Sequence, residues 1–101
     1  MKMQQYDIVM DTPIGGKSGT MTVFFDGSRI IGELELLQQK TPFEGFIYEN
    51  GKCEIFGRIK TLMKTINYKA GGEITLEMLR LNLEGEHARF RILGVSSKVS
   101  N

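Results

Sequence analysis

The chain has 101 residues, 41% of them hydrophobic and 25% charged, with a formal net charge of +1. This is the composition of one modest soluble domain, and the charge balance offers no field for nucleic acid, an anionic membrane or acidic substrates. No apolar run opens the chain or is long enough to span a bilayer, and the single Cys53 has no internal disulfide partner, so the expected compartment is the cytoplasm.

Gln4 to Asp11 alternates, with Tyr6, Ile8 and Met10 on one face, and reads as the first strand. Thr12-Pro13-Ile14-Gly15-Gly16 breaks it. The second strand takes Ser18 to Phe25, with Gly19, Met21, Val23 and Phe25 in phase, and Asp26-Gly27 signals a tight hairpin. Arg29 to Gln38 forms the third strand, with Ile30, Gly32, Leu34 and Leu36 on its apolar side. Gln39-Lys40-Thr41-Pro42 reads as a looser connection.

The fourth strand sets Phe43, Gly45 and Ile47 against Glu44, Phe46 and Tyr48, and Asn50-Gly51 predicts a type I′ hairpin. Cys53, Ile55, Gly57 and Ile59 share the inner face of the fifth strand. Thr61 to Lys64 connects it to a sixth strand carrying Ile66, Tyr68 and Ala70 inward, after which Gly71-Gly72 predicts a turn. Between Glu73 and Glu84 the phase slips: Ile74, Leu76 and Met78 alternate, then Leu79, Leu81 and Leu83 alternate in the opposite phase. A strand bulged after Met78 and a helix capped by Gly85 both fit, and Leu-Arg-Leu-Asn-Leu favours the strand. His87 to Val95 is the last strand, with Ala88, Phe90, Ile92 and Gly94 inward, and 96–101 reads as a flexible tail.

Small residues recur on a ruler: Gly19, Gly32, Gly45, Gly57, Ala70 and Gly94, at steps of 13, 13, 12, 13 and 24. All lie on the inward phase. Glycine there relieves crowding where the strands of a small barrel bend, so the pattern predicts an all-β, up-and-down antiparallel meander of about eight strands closing into a barrel within one domain, residues 1–101. The competing reading takes the glycines as bulge markers in an open sheet or sandwich. Closure would pair the last strand with the first and set Arg89 and Arg91 beside Asp7 and Asp11.

Asp26-Gly27, Asn50-Gly51 and Gly71-Gly72 predict tight turns at one barrel end, with longer connections at the other. The longer end carries Ile14, Leu62 and Met63, which have no evident core positions. They form either a mouth for a small apolar ligand or a plug over the barrel end. Tyr6 and Tyr68 are the large inward polar tips, and with Phe43 they complete the candidate ligand set. Phe24, Ile31, Leu37, Phe46, Tyr48 and Phe56 face outward on adjacent strands. They are either scattered surface hydrophobes or a patch that pairs with a second copy, and a homodimer is the expected partner arrangement.

No catalytic constellation emerges. His87 falls on a polar phase, Cys53 on an apolar one, and Glu33, Glu35 and Glu44 on a solvated wall. No Cys/His set has metal-ligand spacing, and Gly15-Gly16 lacks the context of a phosphate-binding loop, so no metal, cofactor or catalytic residue is expected. Outward Phe46, Tyr48, Phe56, Arg58 and Lys60 are compatible with a base-stacking surface, but the neutral charge balance argues against nucleic acid.

The run Tyr6-Asp7-Ile8-Val9, then Asp11-Thr12-Pro13-Ile14-Gly15, Gly19, Asp26-Gly27, Gly32 and Pro42-Phe43-Glu44-Gly45, resembles a group of short bacterial domains without an assigned function. In architecture the chain is similar to the calycin class of meander barrels, which includes lipocalins and avidins. That resemblance implies a barrel that binds a small apolar molecule. The chain has no tryptophan, so it lacks the lipocalin Gly-x-Trp signature and the aromatic box of avidins, and no binding residue carries over. The expected function is therefore a non-enzymatic barrel with a small apolar ligand at one end, the alternative being a homodimerising or partner-binding module without a ligand.

Overall fold

A computed structural model describes residues 2–60 and 63–97. Its eight strands are β1 (Lys2–Thr12), β2 (Gly15–Asp26), β3 (Arg29–Leu36), β4 (Gln39–Ile47), β5 (Lys52–Lys60), β6 (Thr65–Ile74), β7 (Met78–Glu84) and β8 (Arg89–Ser96). Each pairs antiparallel with the next, and β8 returns to β1, closing the barrel. Period-two patterning drives this: most alternate residues along each strand are apolar, and closure gives those side chains one common interior. Tyr6, Ile8, Met21, Val23, Ile30, Leu34, Ile55 and Ile92 are buried there as expected, and Leu81 joins them. Closure also satisfies the backbone groups that an open sheet would leave unpaired along two edges.

The glycine ruler has a steric cause. Gly32 faces Val23 on β2 and Phe43 on β4. A Cβ there would lie 1.9 Å from Thr22 O and 2.6 Å from the Phe43 ring. At Gly45 it would lie 1.9 Å from Glu54 O. The neighbouring backbone enters the volume that any side chain would take, so the wall can bend that tightly only at a residue without one.

Several boundaries differ from the sequence-based expectation. The phase slip between Glu73 and Glu84 is a turn, neither a bulge nor a helix. β6 runs on through Gly71 and Gly72, pairing them with Asn82 and Leu81, and reverses at Thr75-Leu76-Glu77. Thr75 Oγ1 accepts from the N–H groups of Glu77 and Met78 at 3.2 and 3.1 Å and fixes that reversal. Gln39-Lys40-Thr41-Pro42 is not a connection but the start of β4, with Leu36 opposite Gln39. The turn is Leu37-Gln38. Asn50-Gly51 is not a two-residue type I′ turn: Tyr48 to Gly51 form a four-residue loop, closed by Gly51 N–H to Tyr48 O at 2.9 Å, with only Gly51 of the pair left-handed. β8 extends through Ser96, and Ser97 N–H donates to Gln5 O, so the tail expected from residue 96 starts as paired strand. Of the charge pairs expected at closure, Arg91 faces Asp11, but Val95 stands opposite Asp7 and Glu84 opposite Arg89.

One seam is incomplete. The β4–β5 ladder stops at Phe43–Gly57, although β4 starts four residues earlier and β5 ends three residues later. Pro42, which has no N–H to offer a neighbour, is the first β4 residue outside that ladder. Below Phe43 the two strands are not paired with each other, toward the barrel end described next.

Candidate functional site at the barrel mouth

Loop length does not distinguish the two barrel ends, contrary to expectation. The Pro13-Ile14 and Leu37-Gln38 turns sit at the same end as Met63-Lys64 and Gly85–Ala88, so two-residue and longer connections are mixed there. What sets this end apart is exposed hydrocarbon. Ile14 is 85% exposed and Met63 91% exposed. With Leu37 they rim an open cleft of about 800 Å³ whose floor is Met10, Ile59, Ile66 and Phe90. The sequence assigns Ile14 and Met63 to this end, as a mouth or a plug, and both line the cleft. Leu62 lies outside the described residues.

Ile14 and Leu37 are placed by their turns. Thr12 Oγ1 donates to Gly15 O at 2.6 Å and accepts from Ile14 N–H at 3.3 Å, which holds Ile14 out at the apex. Leu37 and Gln38 have φ of 54° and 65°. Two consecutive left-handed residues in a two-residue loop are the geometry that Asn-Gly serves without strain. A leucine there costs about 1–2 kcal/mol relative to a right-handed conformation. Leu37, expected on the outer wall, is instead an apolar rim residue held in an unfavourable conformation, and such local conflict concentrates at functional sites. Sequence reasoning missed it because Leu-Gln gives no turn signal. It also missed Lys17, half-buried on the inward phase of β2 opposite Met10.

The other candidate ligand residues are elsewhere. Tyr6 is fully buried and its hydroxyl donates to Thr75 O, at the far end of the barrel. Burial pushes the phenol up to about 12. Phe43 lies over Gly32, and the Tyr68 hydroxyl sits 2.6 Å from where a Gly57 Cβ would be. Each ring fills space that a glycine on the next strand vacates. Burial also raises the Tyr68 phenol. These three side chains are wall filling, and the mouth does not include them.

The outer-wall set divides. Phe24, Ile31 and Phe56 fall in one register row across β2, β3 and β5, interrupted by Glu44 on β4, and line an open groove of about 640 Å³. Phe46 and Tyr48 are exposed farther along, toward the opposite end. A second exposed apolar set, on the β7–β8–β1 wall, was not anticipated: Val9 faces Leu93, and Val95 faces Met78.

Cys53 is buried, and burial first, then the Glu73 charge, pushes its thiol up to about 11, so it stays protonated at neutral pH. His87 is exposed in the β7–β8 turn rather than on a strand. Among the described residues no three His, Cys, Asp or Glu side chains gather. No protein-family model, curated protein or solved structure matches the chain. The closed eight-stranded antiparallel meander is compatible with a calycin-like barrel, and that compatibility is one of architecture alone.

Proposed function

We propose that this protein is a non-enzymatic binder of a small apolar ligand at the barrel mouth. The observation that carries this reading is the rim itself. Ile14, Leu37 and Met63 present hydrocarbon to solvent around an apolar floor, and Leu37 does so from a strained turn. A residue serving only the fold has no reason to be there; Asn or Gly would make the same turn at lower cost. The cleft falls in the volume range of small-molecule sites. Native mass spectrometry of protein isolated from cells tests it. The expected spectrum carries an added small-molecule mass that Ile14→Asp together with Met63→Asp removes. A bare protein that also fails to brighten the neutral dye N-phenyl-1-naphthylamine contradicts it.

A second reading has its own observation. The Phe24, Ile31 and Phe56 row leaves an apolar groove bordered by Glu33, Glu44 and Arg58, the kind of surface that a second copy would cover. Sedimentation separates this from the mouth: a dimer that Phe24→Asp with Phe56→Asp converts to monomer supports association through the wall.

A further inference from the structure

Resting on the mouth as a ligand site, we infer that its ligand is an amphiphile with one anionic head and an apolar body, and that Lys17 receives the head. Among the described residues lining the cleft, Lys17 is the sole charged one, and no carboxylate joins it. Its position is inward: it stands opposite Met10 on β1, in phase with Met21 and Val23. It lies past the last β2–β3 pair, Gly19–Leu36, where the sheet gives way to the Leu37-Gln38 turn. Its ammonium makes no ion pair or hydrogen bond with any described residue.

A lysine on the apolar phase of a small barrel is unfavourable unless an anion or water meets it. The inward phase of the described strands carries one other charge, Lys2 at the opposite end of β1; at the mouth that phase is hydrocarbon, glycine and neutral polar groups, so one unpaired cation at the edge of an apolar floor specifies charge as well as shape. The flanking Thr12, Gln38 and Gln39 are neutral and polar, able to donate further hydrogen bonds to an anion without adding charge. The arrangement is two-part: Met10, Ile59, Ile66 and Phe90 for the body, the β1–β2 edge for the head. An apolar body alone would be held with little orientation; a head on Lys17 fixes which end points out.

The test uses the whole protein and a matched pair of probes. Decanoate and 1-decanol have the same chain length, and each is titrated as a competitor of N-phenyl-1-naphthylamine against wild type, Lys17→Met and Ile14→Asp. Methionine keeps the apolar stem and removes the charge. Decanoate affinity is expected to fall about five- to tenfold in Lys17→Met, the range of a half-buried charged contact, with decanol affinity unchanged within about twofold and the wild-type preference for decanoate shrinking in high salt. If Lys17→Met leaves decanoate unchanged, or weakens both competitors equally, the lysine only covers hydrocarbon with its stem and the anionic-head assignment is overturned, while the mouth survives. If the dye never binds wild type, or Ile14→Asp does not weaken it, the mouth reading itself fails. Thermal melts of each variant establish that the comparison is between folded proteins.

Discussion

At the residue scale the fold depends on positions where nothing larger than hydrogen fits. Gly32→Ala should cost about 1–3 kcal/mol or more, since the added carbon meets backbone that cannot step aside. Gly71→Ala is the control. It is also in a strand, but its Cβ would be 3.9 Å from its nearest neighbour, Cys53 O, so chemical denaturation should show a change within about 0.5 kcal/mol. Equal losses at the two sites would remove the steric account of the ruler. Buried proton donors add a pH dependence. Cys53 rises from 9.0 to about 11 and Tyr6 from 10.0 to about 12. Between those bounds the unfolded chain has lost protons that the folded chain keeps, so stability falls as pH rises. Urea midpoints should be level up to about pH 8.5 for these groups and then decline toward pH 12; a midpoint that rises over that window contradicts their burial.

Elements were legible wherever alternation was uninterrupted, and boundaries were misread wherever turn chemistry and register disagreed. Gly71-Gly72 reads as a turn by composition, yet it lies within β6, where Gly72 gives way to the Arg80 backbone. Thr41-Pro42 reads as loop, yet Thr41 is buried in β4 opposite Leu34. Leu37-Gln38 carries no turn signal because its residues are the wrong ones for its geometry. Replacing Leu37 with Asn should therefore raise stability by about 1 kcal/mol while weakening N-phenyl-1-naphthylamine binding severalfold, as melts and dye titrations would record. Gains in both, or losses in both, would mean that the strain at Leu37 is unrelated to the mouth. Lys17 had a readable signal, a charge on the apolar phase of an otherwise regular strand. Ile14 and Met63 were found by the converse rule, hydrocarbon at turns.

At the scale of the whole molecule, closure is what makes a mouth. The β1–β8 pairing, with Ile8 facing Gly94 and Met10 facing Ile92, turns a meander into a container with two ends. Amides along β1 and β8 should exchange as slowly as those of β2 and β3; rapid exchange confined to β1 and β8 would indicate an open sheet. Tyr6, Ile30 and Ile55 are fully buried in the interior, and the proposed ligand site is at the end of the barrel rather than among them. Glycine spacing made the curvature readable along the chain, whereas the mouth depends on which turns converge, and that is fixed only by closure. The most direct test is a ¹⁵N-resolved NMR titration with N-phenyl-1-naphthylamine. The account predicts shifts clustered at Ile14–Lys17, Leu37–Gln39, Met63–Ile66 and Phe90; shifts centred on Phe24, Ile31 and Phe56, or no saturable shifts, would contradict it.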